Sequence, residues 1–286
     1  MEYFYSDDPQ EIENEKKKQE CFRYFFPQLM GKTDETTYVL TGDENNENYV
    51  TKVKDKPEDK LYNKKQEVYN KVKVLTKEAG FAIRNPRAAI EIGPGVIHNS
   101  TNISTKATRF ATKGNILYGT NAGEEELGSE NGAFRHTLWQ AEIASRFGEA
   151  TARQVGNAHE IDPGVDLNNR RFNHVDNADQ TTDLLNNQIG RIIGINNPKK
   201  STKELALLIL EEFRNNGLYV TEKDEDGVWN VKKKRLLEDK YNSLKQIYNQ
   251  LNKDGFTKKQ TLEIDRKRDK DARMFHELNT LWRTIR

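Results

Sequence analysis

Apolar positions along residues 57–84 recur at helical spacing (Leu61, Val68, Val72, Leu75, Ala79), and Pro57-Glu-Asp supplies an opening turn. The same period over 131–147, 149–159 and 177–193 predicts three consecutive helices. In the first of these, Phe134, Leu138 and Ala141 share one side, and His136, Ile143 and Phe147 the other. Only Arg135, Glu142 and Arg146 remain as a polar stripe, so this helix should be nearly surrounded by protein. Ser201-Thr-Lys-Glu204 reads as a capping box opening the apolar run from Leu205 to Leu210. Leu237, Tyr241, Leu244, Tyr248 and Leu251 recur every three or four residues and, with 260–286, predict a terminal αα-hairpin.

Elsewhere the pattern changes. Residues 218–222 and 228–231 flank an Asp226-Gly227 turn, and 37–40 and 49–53 flank the turn-rich stretch from Gly42, so each pair predicts a β-hairpin. Residues 9–25 read as a charged helix. Residues 91–120 are rich in Gly, Asn, Ser and Thr and predict an irregular segment draped over the core. The fold class expected is mainly α: a central multi-helix domain with one or two small β-hairpins and a C-terminal helical hairpin. The regions are 1–90 (charged helices and a hairpin), 91–215 (central helical domain) and 216–286 (hairpin plus basic helical hairpin).

Composition narrows the function classes. The 286 residues carry a net charge of +1, so no global field points to nucleic acid or an anionic membrane. Lys and Arg exceed Asp and Glu modestly over 221–286, which reads as a solvated helical face. Cys21 is the single cysteine, which excludes an intramolecular disulfide framework and a thiolate zinc knuckle. No apolar run reaches membrane-spanning length, and the N-terminal residues lack the pattern of a signal peptide.

Chemistry concentrates between residues 131 and 194. His136 and His159-Glu160 stand on predicted helices, and Asp179, Asp183, Asn186 and Gly190 share one face of a third. The bland readings are a core histidine, a C-terminal helix charge at His159, and a solvated stripe. Against the last, glycine inside a helix costs roughly 1 kcal/mol relative to alanine, so Gly190 implies close approach by a backbone or ligand. The sharper reading makes His136, His159, Glu160 and Asp183 catalytic, and Arg135, Asn187 and Arg191 substrate-binding. A divalent metal, zinc by preference, would be held by His136, His159, Asp179 and Asp183; a metal-free His–carboxylate acid/base site is equally open. Trp139 reads as core and Asp176 as a helix N-cap. No HExxH, P-loop, nucleophile elbow or CxxC occurs.

Three stretches carry a resemblance: Ile103-Ser104 with Arg109-Phe110, Asn131 through Gln140, and Gly156 through Glu160 followed by Ala178 through Arg191. Collinear over about a third of the chain, they resemble a bacterial domain found at the C-termini of RHS-type and other polymorphic toxins. The resemblance implies a mostly helical domain and a bacterial effector, made in the cytoplasm and open to export by a dedicated secretion system. Its partners would be a cognate immunity protein and a component of the secretion machine. The leading expectation is a toxin whose His and Asp/Glu cluster hydrolyses an envelope polymer or a lipid. The alternatives are a metal-dependent nuclease toxin, which keeps nucleic acid open as a partner, and a non-enzymatic binding module whose polar cluster is structural.

Overall fold

The computed structural model describes the backbone of residues 57–93, 99–117 and 127–284, and the side chains of 69–93, 99–117 and 127–274. The expected helix over 9–25 and the first hairpin lie outside the described residues. The chain divides into two compact units, Met1–Pro86 and Arg87–Arg286. In the first, the described element is α1 (Pro57–Arg84), at the predicted place.

The second unit opens at its boundary with α2 (Pro86–Ile92) and continues through α3 (Ile103–Ala111), α4 (Glu130–Phe147), α5 (Glu149–His159) and the short strand β1 (Arg171–Phe172). Then come α6 (Val175–Asn196), α7 (Thr202–Asn215), the strands β2 (Leu218–Lys223) and β3 (Trp229–Lys234), α8 (Glu238–Asn249) and α9 (Lys258–Thr284). The fold is mainly α, with one small antiparallel sheet ordered β1-β3-β2 among the described residues. Leu218 pairs with Lys234 and Phe172 with Trp229.

Helix α4 is the hub. Ser129 Oγ accepts from Gly132 N at 3.1 Å to cap its start, and Gly148, at φ +84°, ends it and lets α5 begin at once. It packs against α3, α5, α6, α7 and β2. From Glu130 to Ser145 every residue but Arg135 is buried, as its two-sided apolar pattern predicts. The closest partner is α6. A Cβ on Gly190 would lie 2.3 Å from the Thr137 carbonyl oxygen, and one on Gly194 would lie 2.3 Å from that of Ala141. Glycine at these two positions lets the helices meet backbone to backbone, the close approach that Gly190 implied. The sheet lies against α6 through Ala178, Leu185 and Val231, with Phe172, Tyr219 and Trp229 packed around them.

Four expectations need correction. Within 91–120 a helix forms: Asn102 Oδ1 accepts from Thr105 N at 2.7 Å to start α3, which buries Ile103, Ala107 and Phe110 completely. Polar composition concealed a short amphipathic helix there. Glu142 is not on a solvated stripe; it is fully buried. Helix α6 starts at Val175 with His174 at the N-cap, so Asp176 sits in the first turn and favours the helix through the macrodipole instead. The hairpin of β2 and β3 is joined by β1, two residues too short to leave a periodic signal. At the C-terminus both helices are present, but none of the described side chains of α9 is buried and most are exposed.

Candidate functional site

The helices bring three of the predicted residues together. One ligand-capable atom from each of His136, Glu160 and Asp183 lies within 4.8 Å of the others, and all three residues are buried. They arrive from three places: mid-α4, the residue capping the C-terminus of α5, and the third turn of α6. The Gly190 contact fixes how near α6 comes to α4, and so how near Asp183 comes to His136. On α5, a Cβ at Gly156 would meet the Gln140 side-chain amide at 2.9 Å, a contact that the flexible glutamine can relieve. Glu160 is held by the chain that follows it. Asp162 N donates to Gln180 Oε1 at 2.8 Å, and Gln180 Nε2 donates back to the Asp162 carbonyl at 3.0 Å. This pinning of the α5 exit onto α6 has no local signature in sequence.

Two neighbours crowd one nitrogen of His136 while the other has none. Its Nε2 is 3.3 Å from Asp183 Oδ2 and 3.4 Å from Arg135 Nη2. Whichever tautomer is present, Nδ1 is buried without a hydrogen-bond partner, and so are Arg135 Nε, Gln140 Nε2 and both amide atoms of Asn187. Buried polar groups are nearly always matched, so this concentration marks the site out.

The electrostatics pull in opposite senses. Burial pushes the Asp183 carboxyl well above its usual range, and nearby Asp179 and Glu160 add to that while Arg135 opposes it. Burial also holds His136 well below the usual histidine value; Arg135 and His159 reinforce this and Asn187 counters it. The buried imidazole is therefore neutral at physiological pH, with a lone pair to offer a proton or a cation.

Other predicted residues fall elsewhere. His159 is exposed; its ring centroid is 5.8 Å from that of His136 and 5.4 Å from that of Trp139. Asp179 accepts a hydrogen bond from Gly128 N. Neither belongs to the group with converging ligand atoms, which takes Glu160 in their stead. Arg191 lies one turn beyond Asn187 and donates to Gln140 Oε1 at 3.3 Å, lining a separate cleft. Trp139 is core, as expected, its Nε1 donating to Ser104 Oγ at 3.1 Å. Asn186 is structural: its amide donates to the Tyr219 carbonyl at 2.8 Å and accepts from Tyr219 N at 2.9 Å, docking β2 onto α6.

A second buried polar cluster escaped the sequence reading. Lys106 Nζ makes a buried ion pair with Glu142 Oε1, while Thr202 Oγ1 donates to Glu142 Oε2 at 2.8 Å and Arg146 Nη2 adds a contact at 2.8 Å. Arg146 is one turn from Glu142 on α4, but Lys106 on α3 and Thr202 at the start of α7 are too far away in the chain for spacing to reveal them.

Residues 94–217 match the model of a family described as Domain of unknown function (DUF6973), and the chain is similar to that family over this stretch. The stretch contains the whole His136–Glu160–Asp183 cluster. No curated protein and no solved structure matches the chain.

Proposed function

We propose that this chain is a hydrolase of a bacterial effector, its centre built on His136, Glu160 and Asp183 around one divalent cation, with an envelope polymer or a lipid as substrate. The observation that carries the reading is the convergence of one imidazole and two carboxylates within 4.8 Å inside the protein. Imidazole nitrogen and carboxylate oxygens are zinc ligand types, and three protein ligands are the number that catalytic zinc sites use. Charge balance agrees. Asp179 and Glu160 both act on Asp183 against the guanidinium of Arg135, and a divalent cation would offset that negative charge.

A cation there would supply hydroxide at neutral pH by acidifying bound water. The chain's own groups supply the rest. Neutral His136 offers a nitrogen lone pair to a ligand or a proton. Arg135 Nε and Asn187 Nδ2, buried donors without hydrogen-bond partners, would hold an oxygen on which negative charge develops. The effector setting rests on the toxin-domain resemblance.

The alternatives gain less support. A nuclease would need the basic residues of 232–273 to converge on the centre, yet Lys232 pairs with Glu222, Lys234 and Lys240 with Glu130, and Lys245 with Glu211. A purely structural network would need its buried atoms matched.

The test uses the purified full chain, loaded with Zn²⁺ and desalted. About one ion per chain should remain, and Asp183→Asn or Glu160→Gln should weaken retention by roughly 10- to 100-fold or more. Hydrolysis of envelope lipid and polymer fractions should disappear in His136→Ala with the circular dichroism spectrum unchanged. Retention and activity that ignore all three substitutions would overturn the reading.

A further inference from the structure

Between α5 and α6 lies an open cleft of about 450 Å³ that shares no residue with the His136 centre. Its walls are mixed in a specific way. Leu184, Ile192 and Ile195 line it from α6, and the latter two leave 58% and 42% of their surface exposed. Such large apolar side chains, side by side at a cleft, mark a surface that gains from being covered. Glu149, Arg153 and Arg191 are its ionisable residues. Glu149 is already committed to an ion pair with Arg153. Arg191 is half-buried, and its hydrogen-bond partner is the neutral amide oxygen of Gln140. Among the described residues no carboxylate lies within ion-pairing distance of it. Burial, and then the Arg153 guanidinium, work against the charge on Arg191, and Glu149 offsets them only in part. An anion placed between the two arginines would relieve both penalties, and guanidinium groups match phosphate oxygens two at a time.

We propose that this cleft binds a single-chain anionic lipid, its phosphate held by Arg191 and Arg153 and its acyl chain lying along Leu184, Ile192 and Ile195. The volume suits a headgroup and part of a chain, within the range of small-molecule sites. Charge complementarity selects the occupant: two arginines against one glutamate leave the cleft one positive charge in excess, beside an apolar strip of Leu184, Ile192 and Ile195 and the neutral amides of Asn157 and Gln188. The site stands apart from the hydrolytic reading and survives its failure.

Calorimetric titration of the full chain, below the critical micelle concentration, compares lysophosphatidic acid with the matching monoacylglycerol and with inorganic phosphate. Lysophosphatidic acid should bind at least about tenfold more tightly than either, as expected for one charge-assisted hydrogen-bonded pair added to apolar burial. Arg191→Gln should weaken it by about tenfold and remove most of its salt dependence. Ile192→Asp, at an exposed position that leaves folding intact, should weaken it comparably. Asp183→Asn should leave lipid binding unchanged, which separates this site from the hydrolytic centre. Equal binding of phosphate would reduce the cleft to an anion site, equal binding of monoacylglycerol would remove the role of the arginines, and either overturns the proposal. So does the absence of lysophosphatidic acid binding, or an Ile192→Asp protein that is folded and binds as tightly as the parent.

Discussion

Helix α4 carries two buried polar clusters less than two turns apart, at Glu142 and at His136, and they differ in kind. Around Glu142 both carboxylate oxygens have partners: Lys106 and Arg146 on one, Thr202 on the other. Around His136 the polar atoms outnumber the bonds available to them. Taking charge out of water costs several kcal/mol unless pairing offsets it, so a fold retains such groups for different reasons in the two places. The first cluster is matched from within and ties α3, α4 and α7 together. The second is matched only in part, and something that enters from outside would complete it. Burial of polar residues is therefore not the mark of a site; incomplete satisfaction is.

The largest effect that can break this contrast belongs to the matched cluster. Glu142→Ala would leave the Lys106 ammonium buried without its carboxylate and should cost about 3–5 kcal/mol, measured by urea unfolding. Lys106→Met combined with Glu142→Leu should recover most of that loss, because two apolar side chains of similar volume remove the unpaired charge. A single variant that unfolds like the parent would show the cluster to be dispensable.

Next in size is the contact that sets the second cluster's spacing. Gly190→Ala forces a Cβ to within 2.3 Å of the Thr137 carbonyl, so α4 and α6 must separate. The expected destabilisation is about 1–3 kcal/mol, with metal retention falling alongside because Asp183 rides on the same helix. Retention that survives the loss of stability would uncouple the helix approach from the site.

The pH dependence of stability separates the clusters more gently. Asp183 has its folded-state pKa raised, so the unfolded chain gives up this proton first. Its contribution should decline as pH rises from the ordinary carboxylate value, about 4, to the raised folded value, and stay low above it. His136 has its folded-state pKa lowered, so its contribution is lost as pH falls below the ordinary histidine value of about 6.5. Asp183→Asn should therefore stabilise the metal-free protein at neutral pH, and His136→Gln should flatten the acid side. Unfolding curves over pH 4–9 that are parallel for parent and variants would contradict this electrostatic account.

Much of this was legible in sequence because it is local. The 3.6-residue period gave α1, α4, α5 and α6 to within a few residues, the capping box opened α7 as read, and Gly190 announced a tight helix contact. The expected convergence was of His136, His159 and Asp183, with Glu160 beside them; the ligand atoms that meet are those of His136, Glu160 and Asp183. What stayed hidden depends on partners remote in the chain. Whether His159 or Glu160 turns inward is decided by the exit from α5, which Gln180 fixes from the next helix. Nothing local marks Lys106 as buried, since its partner is 36 residues away. The stripe on α6 contained both a docking residue and a site residue, and no periodicity distinguishes the two.

Asn186 and Asn187 give the finest test because they are neighbours, chemically identical and both fully buried. Asn186 completes the backbone pairing of Tyr219, so Asn186→Leu would strand a buried N–H and a buried carbonyl at a cost of about 1–3 kcal/mol. Asn187 has no matched atom to lose. Asn187→Leu removes two unsatisfied polar atoms at similar volume and should change stability by less than about 0.5 kcal/mol in either direction. Hydrolysis should nevertheless fall by about 100-fold if its amide holds a developing oxyanion. Equal destabilisation by the two substitutions, with activity tracking stability, would place Asn187 in the scaffold beside its neighbour and erase the line between the matched and unmatched clusters.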